Sequence, residues 1–277
     1  MSNHSRYKLL LTDVDGTLVR KDGSISAENL AALHAAKEAG VHVSICTGRS
    51  MMSSRNMYQA LGIDGFHAFY DGGFICHEVS HEVLHAGTIK PALVKKMIGF
   101  AREHGFYLEL ATGLNSFAEL PCPIPELKSL AFDAEHTTGS LEEIEEREQF
   151  VMGLLVSPGE DDRKASEVFV ETLGPDIFLG YGPSGLTPGM NVGVLLAGGT
   201  SKGSAIAHFC DFHGITPDEV MAVGDWTNDI SMLREAGLGV AMGQAPDEVK
   251  AAADYVTAGI DEHGLAEAIR KFILSDT

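Results

Sequence analysis

Two aspartates one residue apart, Asp13 and Asp15, stand where an apolar run ends in glycine: Tyr7-Lys-Leu-Leu-Leu-Thr-Asp13-Val-Asp15-Gly16-Thr-Leu18. Like charges this close repel and raise one pKa, so either a cation lies between them or one of them holds a proton. Both conditions lead to chemistry. An Asx-turn pair capping the next segment would also put aspartates ahead of Gly-Thr. A second acidic pair, Asp225 and Asp229, follows the apolar segment Met221-Ala-Val-Gly224. Between the two pairs, Thr200-Ser201 precede Lys202, with Ile206, Phe209 and Cys210 on one face behind it. That spacing predicts Lys202 in the first turn of a helix, where a cation opposes the helix dipole. Positions that break a local rule are often functional, although an exposed solubilising lysine would satisfy the same pattern.

These residues need elements that bring them together. The run before Asp13 reads as a buried strand ended by a glycine turn, and Ser26 to Gly40 as an amphipathic helix carrying Leu30, Leu33 and Ala36. Val41 to Cys46 is a second strand, followed at once by Thr47-Gly48-Arg49 and a helix over Met51 to Leu61. Strand, helix, strand, helix implies a parallel sheet, and ligands in such sheets bind beyond the carboxyl ends of the strands. Asp13, Asp15, Thr47, Asp225 and Asp229 all fall at such ends, and Lys202 is placed near them.

Phe66 to Thr88 reads as a strand and a hairpin built on Asp71-Gly72-Gly73. The alternation then becomes irregular: a helix over Lys90 to His104, strands at Phe106 to Leu110 and Ser116 to Glu119, and a Pro-rich link at Pro121 to Pro125. A solvated acidic run (Glu142 to Glu148), a strand at Phe150 to Val156, a helix over Asp161 to Leu173 and a strand at Ile177 to Tyr181 follow. The section is α+β in character, and Gly180 to Gly189 reads as its return linker. The expected organisation is therefore an α/β, Rossmann-like parallel-sheet core of residues 1–84 and 187–277, with an inserted α+β cap of residues 85–186.

Composition narrows the function. With 277 residues, 44% hydrophobic and 21% charged, the chain is an ordinary globular one. Its apolar runs fall far short of the roughly 20 residues of a membrane span, and its start does not resemble a signal peptide. Cys46, Cys76, Cys122 and Cys210 form no Cys-x-x-Cys pair, which fits a reducing cytoplasm. A formal charge of −19 disfavours nucleic acid and anionic lipid as partners. An anionic substrate needs a local positive site from a metal ion, Lys202, Arg49 or backbone amides. Clustered carboxylates suit Mg2+, and a metal, a lysine and a hydroxyl together meet the needs of phosphoryl transfer.

The ordered set Asp13-Val-Asp15-Gly-Thr-Leu, Thr47-Gly-Arg, Lys202-Gly-Ser-Ala-Ile and Gly224-Asp225-Trp-Thr-Asn228-Asp229-Ile-Ser-Met-Leu resembles the haloacid dehalogenase superfamily of phosphatases. More closely it resembles the Cof-type, C2-capped branch (class IIB), and the likeness extends through the tail Gly239-Val-Ala-Met-Gly-Gln-Ala-Pro-Asp-Glu-Val-Lys. It implies Asp13 as nucleophile, Asp15 as general acid then base, and Thr47 and Lys202 on the phosphoryl oxygens. It further implies Mg2+ held by Asp13, Asp225, Asp229 and the Asp15 backbone carbonyl, with Asn228, Gly16, Gly48 and Arg49 around the phosphate. The implied substrate is a small phosphorylated metabolite, such as a sugar phosphate or a phosphorylated cofactor, because the cap excludes polymers. Monomer and homodimer are both compatible with it. Two departures stand out: Asp71-Gly72-Gly73 replaces the branch's usual Asn-Gly-Ala, and Met190-Asn191-Val192 lacks an acidic residue often found there.

Three other readings compete. A phosphomutase would share all four motifs, and a non-catalytic phospho-ligand-binding protein would bind without turnover. His77-Glu-Val-Ser-His81 and His81-Glu-Val-Leu-His85 match the zinc-protease pattern His-Glu-x-x-His. That pattern ligates zinc from a helix, whereas the surrounding glycines and valines predict a hairpin.

Overall fold

A computed structural model describes residues 5–124, 136–181 and 189–274. Its first strands are β1 (Leu9–Thr12), β2 (His42–Ile45), β3 (Phe66–Phe69), β4 (Phe74–His77) and β5 (Val83–Ala86). Then come β6 (Tyr107–Ala111), β7 (Ser116–Ala118), β8 (His136–Thr138), β9 (Met152–Pro158), β10 (Ile177–Tyr181) and β11 (Met190–Ala197). The last three are β12 (Val220–Gly224), β13 (Leu238–Ala241) and β14 (Tyr255–Val256). The chain divides into two units. One takes in the chain up to Gly48, Met57–Leu84 and the chain from Ser201; the other takes in Arg49–Asn56 and His85–Thr200.

The first unit is built on a five-stranded sheet of order β14-β13-β12-β1-β2, parallel throughout. Central β1 is buried along its whole length, as the unbroken run Leu-Leu-Leu-Thr requires of a parallel strand covered on both faces. Thr12 pairs with Val223 on one side and Ile45 on the other, so three strands end at one level. The helix Ala27–Glu38 is capped by Ser26, whose hydroxyl accepts the Asn29 N–H. Its buried face is Asn29, Ala32, Leu33 and Ala36: Leu33 and Ala36 are buried as expected, while Leu30 is only half-buried. Asn29 is buried because its side-chain oxygen accepts the Ala266 N–H at 3.1 Å. The helix expected from Met51 begins at Arg55. Ser50, Ser53 and Ser54 hydrogen-bond among their own side chains and backbone and hold the preceding residues in turns. The hairpin on Asp71–Gly73 is present: β3 and β4 pair antiparallel about a single 3-10 turn, and β5 is the third strand of that sheet.

The second unit is α+β, with a six-stranded sheet of order β10-β11-β9-β6-β7-β8. Helices Pro91–His104 and Gly159–Leu173 bury Leu93, Met97, Ile98, Val170 and Leu173 against Leu108, Leu110, Leu155 and Leu195 of the strands. This unit corrects the expected boundary at residue 187. Strand β11 pairs residue by residue with β9, from Met190↔Pro158 to Leu196↔Met152, and with β10, so the unit runs on to Thr200. An apolar run such as Val192–Ala197 suits either sheet, and its length and composition do not distinguish them. Of the two expected links, Pro125 and residues 182–188 lie outside the described residues. The acidic run is also less uniform than expected: Glu142 pairs with Arg102 at 2.8 Å, while Glu145 is buried.

Candidate active site

The level ends of β1 and β12 deliver their aspartates to one place. Ligand oxygens of Asp13, Asp225 and Asp229 lie within 4.8 Å of one another, and all three residues are buried. Lys202 opens the helix Lys202–His213, which is capped at Ser201 through a reciprocal bond with Ser204. The lysine is buried, with Nζ donating to Asp13 Oδ1 at 2.5 Å and to Asp229 Oδ1 at 2.6 Å. The unfavourable dipole position is thus offset by two carboxylates. Asp229 Oδ2 accepts the backbone N–H groups of Asp225 (2.8 Å) and Trp226 (2.9 Å), which folds the loop back on itself.

Burial pushes the Asp13 carboxyl well above its usual range, Asp229 adds to the rise, and Lys202 opposes it. Burial likewise pushes Asp225 up to about 6, against the hydrogen bond from Thr17. Burial would lower the Lys202 pKa, but Asp13 and Asp229 outweigh it and hold the ammonium charged. In ionised form the three carboxylates carry two more negative charges than Lys202 balances. An all-oxygen cluster with that excess fits a hard divalent cation.

Other residues proposed from the sequence fall around this cluster. Gly16 has φ +91°, and a Cβ there would stand 2.3 Å from Asp225 Oδ2, so no side chain is tolerated. Thr47 is buried just past the end of β2, one residue beyond the Cys46 N–H bond to Thr12 O. Asp15 is exposed, and its carboxylate is not one of the three clustered groups. Asn228 is exposed, on the turn Thr227–Asp229. Gly48 lies under the Asp71 carboxylate, while Arg49 belongs to the second unit.

Sequence reasoning left three supports without a role. Thr17 Oγ1 donates to Asp225 Oδ1 at 2.9 Å, Gln244 Nε2 to the Gly16 carbonyl at 2.6 Å, and the Gly203 N–H to Ser231 Oγ at 3.0 Å. All three lie inside stretches that carry the resemblance. They bind the loops to each other, a function that spacing along the chain does not reveal.

The His-Glu-x-x-His segments do not form a helix. His77 ends β4, Glu78 to Ser80 form a turn, and His81 is exposed with φ +58°. The segment nevertheless contributes to a second group, Asp64, His77 and Glu78, whose ligand atoms also approach within 4.8 Å. His77 Nδ1 accepts from the N–H groups of Val79 and Ser80, which puts the proton of the neutral ring on Nε2, facing Asp64 at 3.5 Å. Neither ring nitrogen then has a lone pair to offer a metal.

The profile of the haloacid dehalogenase-like hydrolases matches residues 10–269, and the chain belongs to that family. It is 32% identical over 272 residues to the 5-amino-6-(5-phospho-D-ribitylamino)uracil phosphatase YcsE of Bacillus subtilis, covering 96% of each chain. Among solved structures it is similar to the phosphatase BT1666 from Bacteroides thetaiotaomicron, with TM-score 0.78, 27% identity and coverage of 96% and 95%. It is also similar to the subclass IIB sugar phosphatase BT4131, with TM-score 0.77, 30% identity and coverage of 96% and 98%. The fold is that of the superfamily's phosphatases, and the chain is a phosphatase of this kind.

Proposed function

We propose that the chain is a Mg2+-dependent phosphatase of a small phosphorylated metabolite, a sugar phosphate or a phosphorylated cofactor, and that it works through an aspartyl-phosphate on Asp13. The observation that carries this reading is the convergence of Asp13, Asp225 and Asp229 around Lys202. Asp13 and Asp225 are 212 positions apart in the sequence, and buried acids are rarely gathered without a cationic partner. Asp13, Asp225 and Asp229, with the backbone carbonyl of Asp15, would hold Mg2+. When bound, the ion neutralises phosphoryl charge and lets the Asp13 carboxylate approach an anion.

The chain's own residues then divide the work. A carboxylate oxygen of Asp13 forms the bond to phosphorus as the bond to the leaving oxygen breaks, and Asp15 gives that oxygen a proton. Asp15, now ionised, takes a proton from water as the water attacks phosphorus, which releases phosphate and restores Asp13. The exposure of Asp15 supports this role, since it must exchange protons with bulk water. Lys202 opposes the burial-driven rise in the Asp13 pKa and, with Thr47, Asn228 and the backbone amides near Gly16 and Gly48, stabilises the phosphoryl oxygens. Arg49 is proposed as a further phosphate-side cation. Hydrolysis is preferred over transfer within the substrate because the relatives are phosphatases.

The relatives' activities suggest where to look for the substrate: a phosphorylated ribityl compound and phosphorylated sugars. Phosphate release from a panel of such metabolites, with Mg2+ and with chelator, tests the reading. The expected result is release with Mg2+ alone. A requirement for a bisphosphate activator with no net release would make the protein a mutase, and binding without turnover would make it a receptor. The proposed partners are accordingly small molecules, with no nucleic acid or membrane surface. No helix among the described residues is long and apolar enough to cross a membrane.

A further inference from the structure

Asp71 has no part in the scheme above, yet its carboxylate stands at the same rim. Its backbone is left-handed (φ 51°, ψ 38°), after Tyr70 at φ 50° and before Gly72 at φ 91°. Two successive non-glycine residues in that region are strained, and such strain persists where the surroundings over-determine it. Here they do. The Asp71 N–H donates to the Thr47 carbonyl at 2.9 Å, and a Cβ on Gly72 would fall 2.5 Å from the Ser201 carbonyl. The turn is wedged between the Thr47 loop and the start of the Lys202 helix. That placement aims the side chain: an added Cβ on Gly48 would lie 3.3 to 3.4 Å from both carboxylate oxygens, and Asp71 Oδ1 accepts from Asn228 Nδ2 at 2.8 Å.

A further anion at a phosphate-binding rim opposes substrate, so its presence calls for a compensating gain. The hydrogen bond to Asn228 supplies one. A carboxylate accepts but cannot donate, so Asn228 must turn its NH2 and not its carbonyl toward Asp71. One N–H is thereby fixed and the other is left pointing away with a defined direction, on a side chain that is otherwise exposed. An amide free to flip would present oxygen to a phosphoryl group half the time.

We infer that Asp71 is a positioning residue that locks the amide orientation of Asn228 for phosphate recognition, at the cost of some electrostatic repulsion of the anion. This rests on the proposed placement of Asn228 beside the phosphate. The two contributions have opposite signs, and two substitutions separate them. Asp71→Gly removes the acceptor and the charge while accepting φ 51° without strain; Asp71→Asn removes the charge and keeps an acceptor.

The measurements are orthophosphate affinity by calorimetry in Mg2+, and KM and kcat for p-nitrophenyl phosphate, with circular dichroism to check the fold. Asp71→Gly should weaken orthophosphate and raise KM by about tenfold, the scale of a hydrogen bond to a charged group, with kcat within about threefold. Asp71→Asn keeps an acceptor, but its own NH2 can also donate, so it holds the Asn228 amide only in part and should bind orthophosphate more tightly than Asp71→Gly. In an Asn228→Ala background, Asp71→Gly should no longer weaken binding. The inference is overturned if Asp71→Gly binds as well as Asp71→Asn, or if its loss is unchanged in the Asn228→Ala background. A parent that binds orthophosphate but hydrolyses no phosphomonoester refutes the phosphatase reading alone, since the calorimetric comparison still decides the role of Asp71. A parent that binds no orthophosphate in Mg2+ refutes both.

Discussion

Among the described residues, the first unit contains two groups of side chains close enough to share an ion, and they are held in different ways. Asp13, Asp225 and Asp229 come from the ends of two parallel strands, all buried, and Asp13 and Asp229 meet Lys202 at 2.5 and 2.6 Å. Asp64 lies two residues before a hairpin that carries His77 and Glu78; His77 stands 3.5 Å from Asp64 and 3.7 Å from Glu78, with Asp64 exposed and the histidine engaged by its own turn. The first group confines a negative excess that a cation or a proton must relieve, whereas the second satisfies itself with backbone donors. Proximity of ligand atoms is common to both. Among the described residues an excess of buried negative charge belongs to the first alone, and that difference supports placing the proposed chemistry there.

The sharpest way to break the contrast is to remove the proposed nucleophile. Asp13→Asn preserves shape and keeps an oxygen for Lys202 but cannot form the aspartyl-phosphate. Turnover should fall by about four or more orders of magnitude, as for loss of a covalent nucleophile, while the melting temperature holds or rises because a buried acid with a raised pKa has gone. Phosphate release near the parental rate would return Asp13 to a structural role. Chelation should abolish parental activity, Mg2+ should restore it, and Zn2+ added to a Mg2+-free sample should not.

Lys202→Ala comes next in size. It leaves Asp13 and Asp229 buried without their shared cation, and breaking a buried pair in this way costs about 3–5 kcal/mol. The chemical step should slow by roughly a hundredfold or more, on the scale of losing one oxyanion donor. Added Mg2+ should recover part of the melting temperature and none of the lost rate. An unchanged kcat would remove the lysine from the mechanism.

What the sequence discloses follows the same division. Strand ends are legible because apolar runs stop at Asp-x-Asp-Gly and Gly-Asp, and a parallel sheet puts such stops on one rim; Asp13, Thr47, Asp225 and Asp229 are found this way. The burial of Lys202 is half legible, since the helix start shows but the two carboxylates that neutralise the lysine are distant in sequence. Thr17, Gln244 and the Asp71 to Asn228 bond were not legible, because each joins loops through one side-chain contact that leaves no periodicity. The extent of the second unit is not legible for a related reason. Strand β11 has the composition of a core strand, and pairing with β9 and β10 is a property of the fold and not of the segment.

A third test concerns His67, on β3 beside the hairpin cluster. It is fully buried, its Nδ1 accepts the Ile45 N–H at 3.3 Å, and Nε2 stands 3.7 Å from Glu78 Oε2. Burial lowers its pKa from 6.5 to about 4. The unfolded chain therefore binds the proton first as pH falls, so this contribution is complete above pH 6.5 and is lost progressively down to about 4, amounting to roughly 3 kcal/mol. Burial raises the Glu78 carboxyl, which acts in the opposite sense and moderates the slope. His67→Asn, whose side-chain oxygen can replace Nδ1, should unfold at lower denaturant at neutral pH, yet show a flatter dependence of stability on pH between 4 and 6.5. An unchanged slope would mean that other groups carry the acid sensitivity.

The smallest effect belongs to His77, and it bears most directly on the contrast. If the hairpin cluster is self-satisfied, His77→Ala loses a turn acceptor and an edge-to-face contact with Phe66 at 5.3 Å, about 1 kcal/mol in all. Phosphatase activity should stay within about twofold of the parent, since this residue shares no partner with Asp13, Asp225 or Lys202. Micromolar Zn2+ should leave the melting temperature of parent and variant alike unmoved, because ligation through either ring nitrogen requires giving up the N–H groups of Val79 and Ser80 or the proton facing Asp64. A Zn2+-dependent rise in the parent that His77→Ala abolishes would show that the turn yields those bonds to a metal. Two ligand clusters would then both bind ions, and buried excess charge would no longer be what tells them apart.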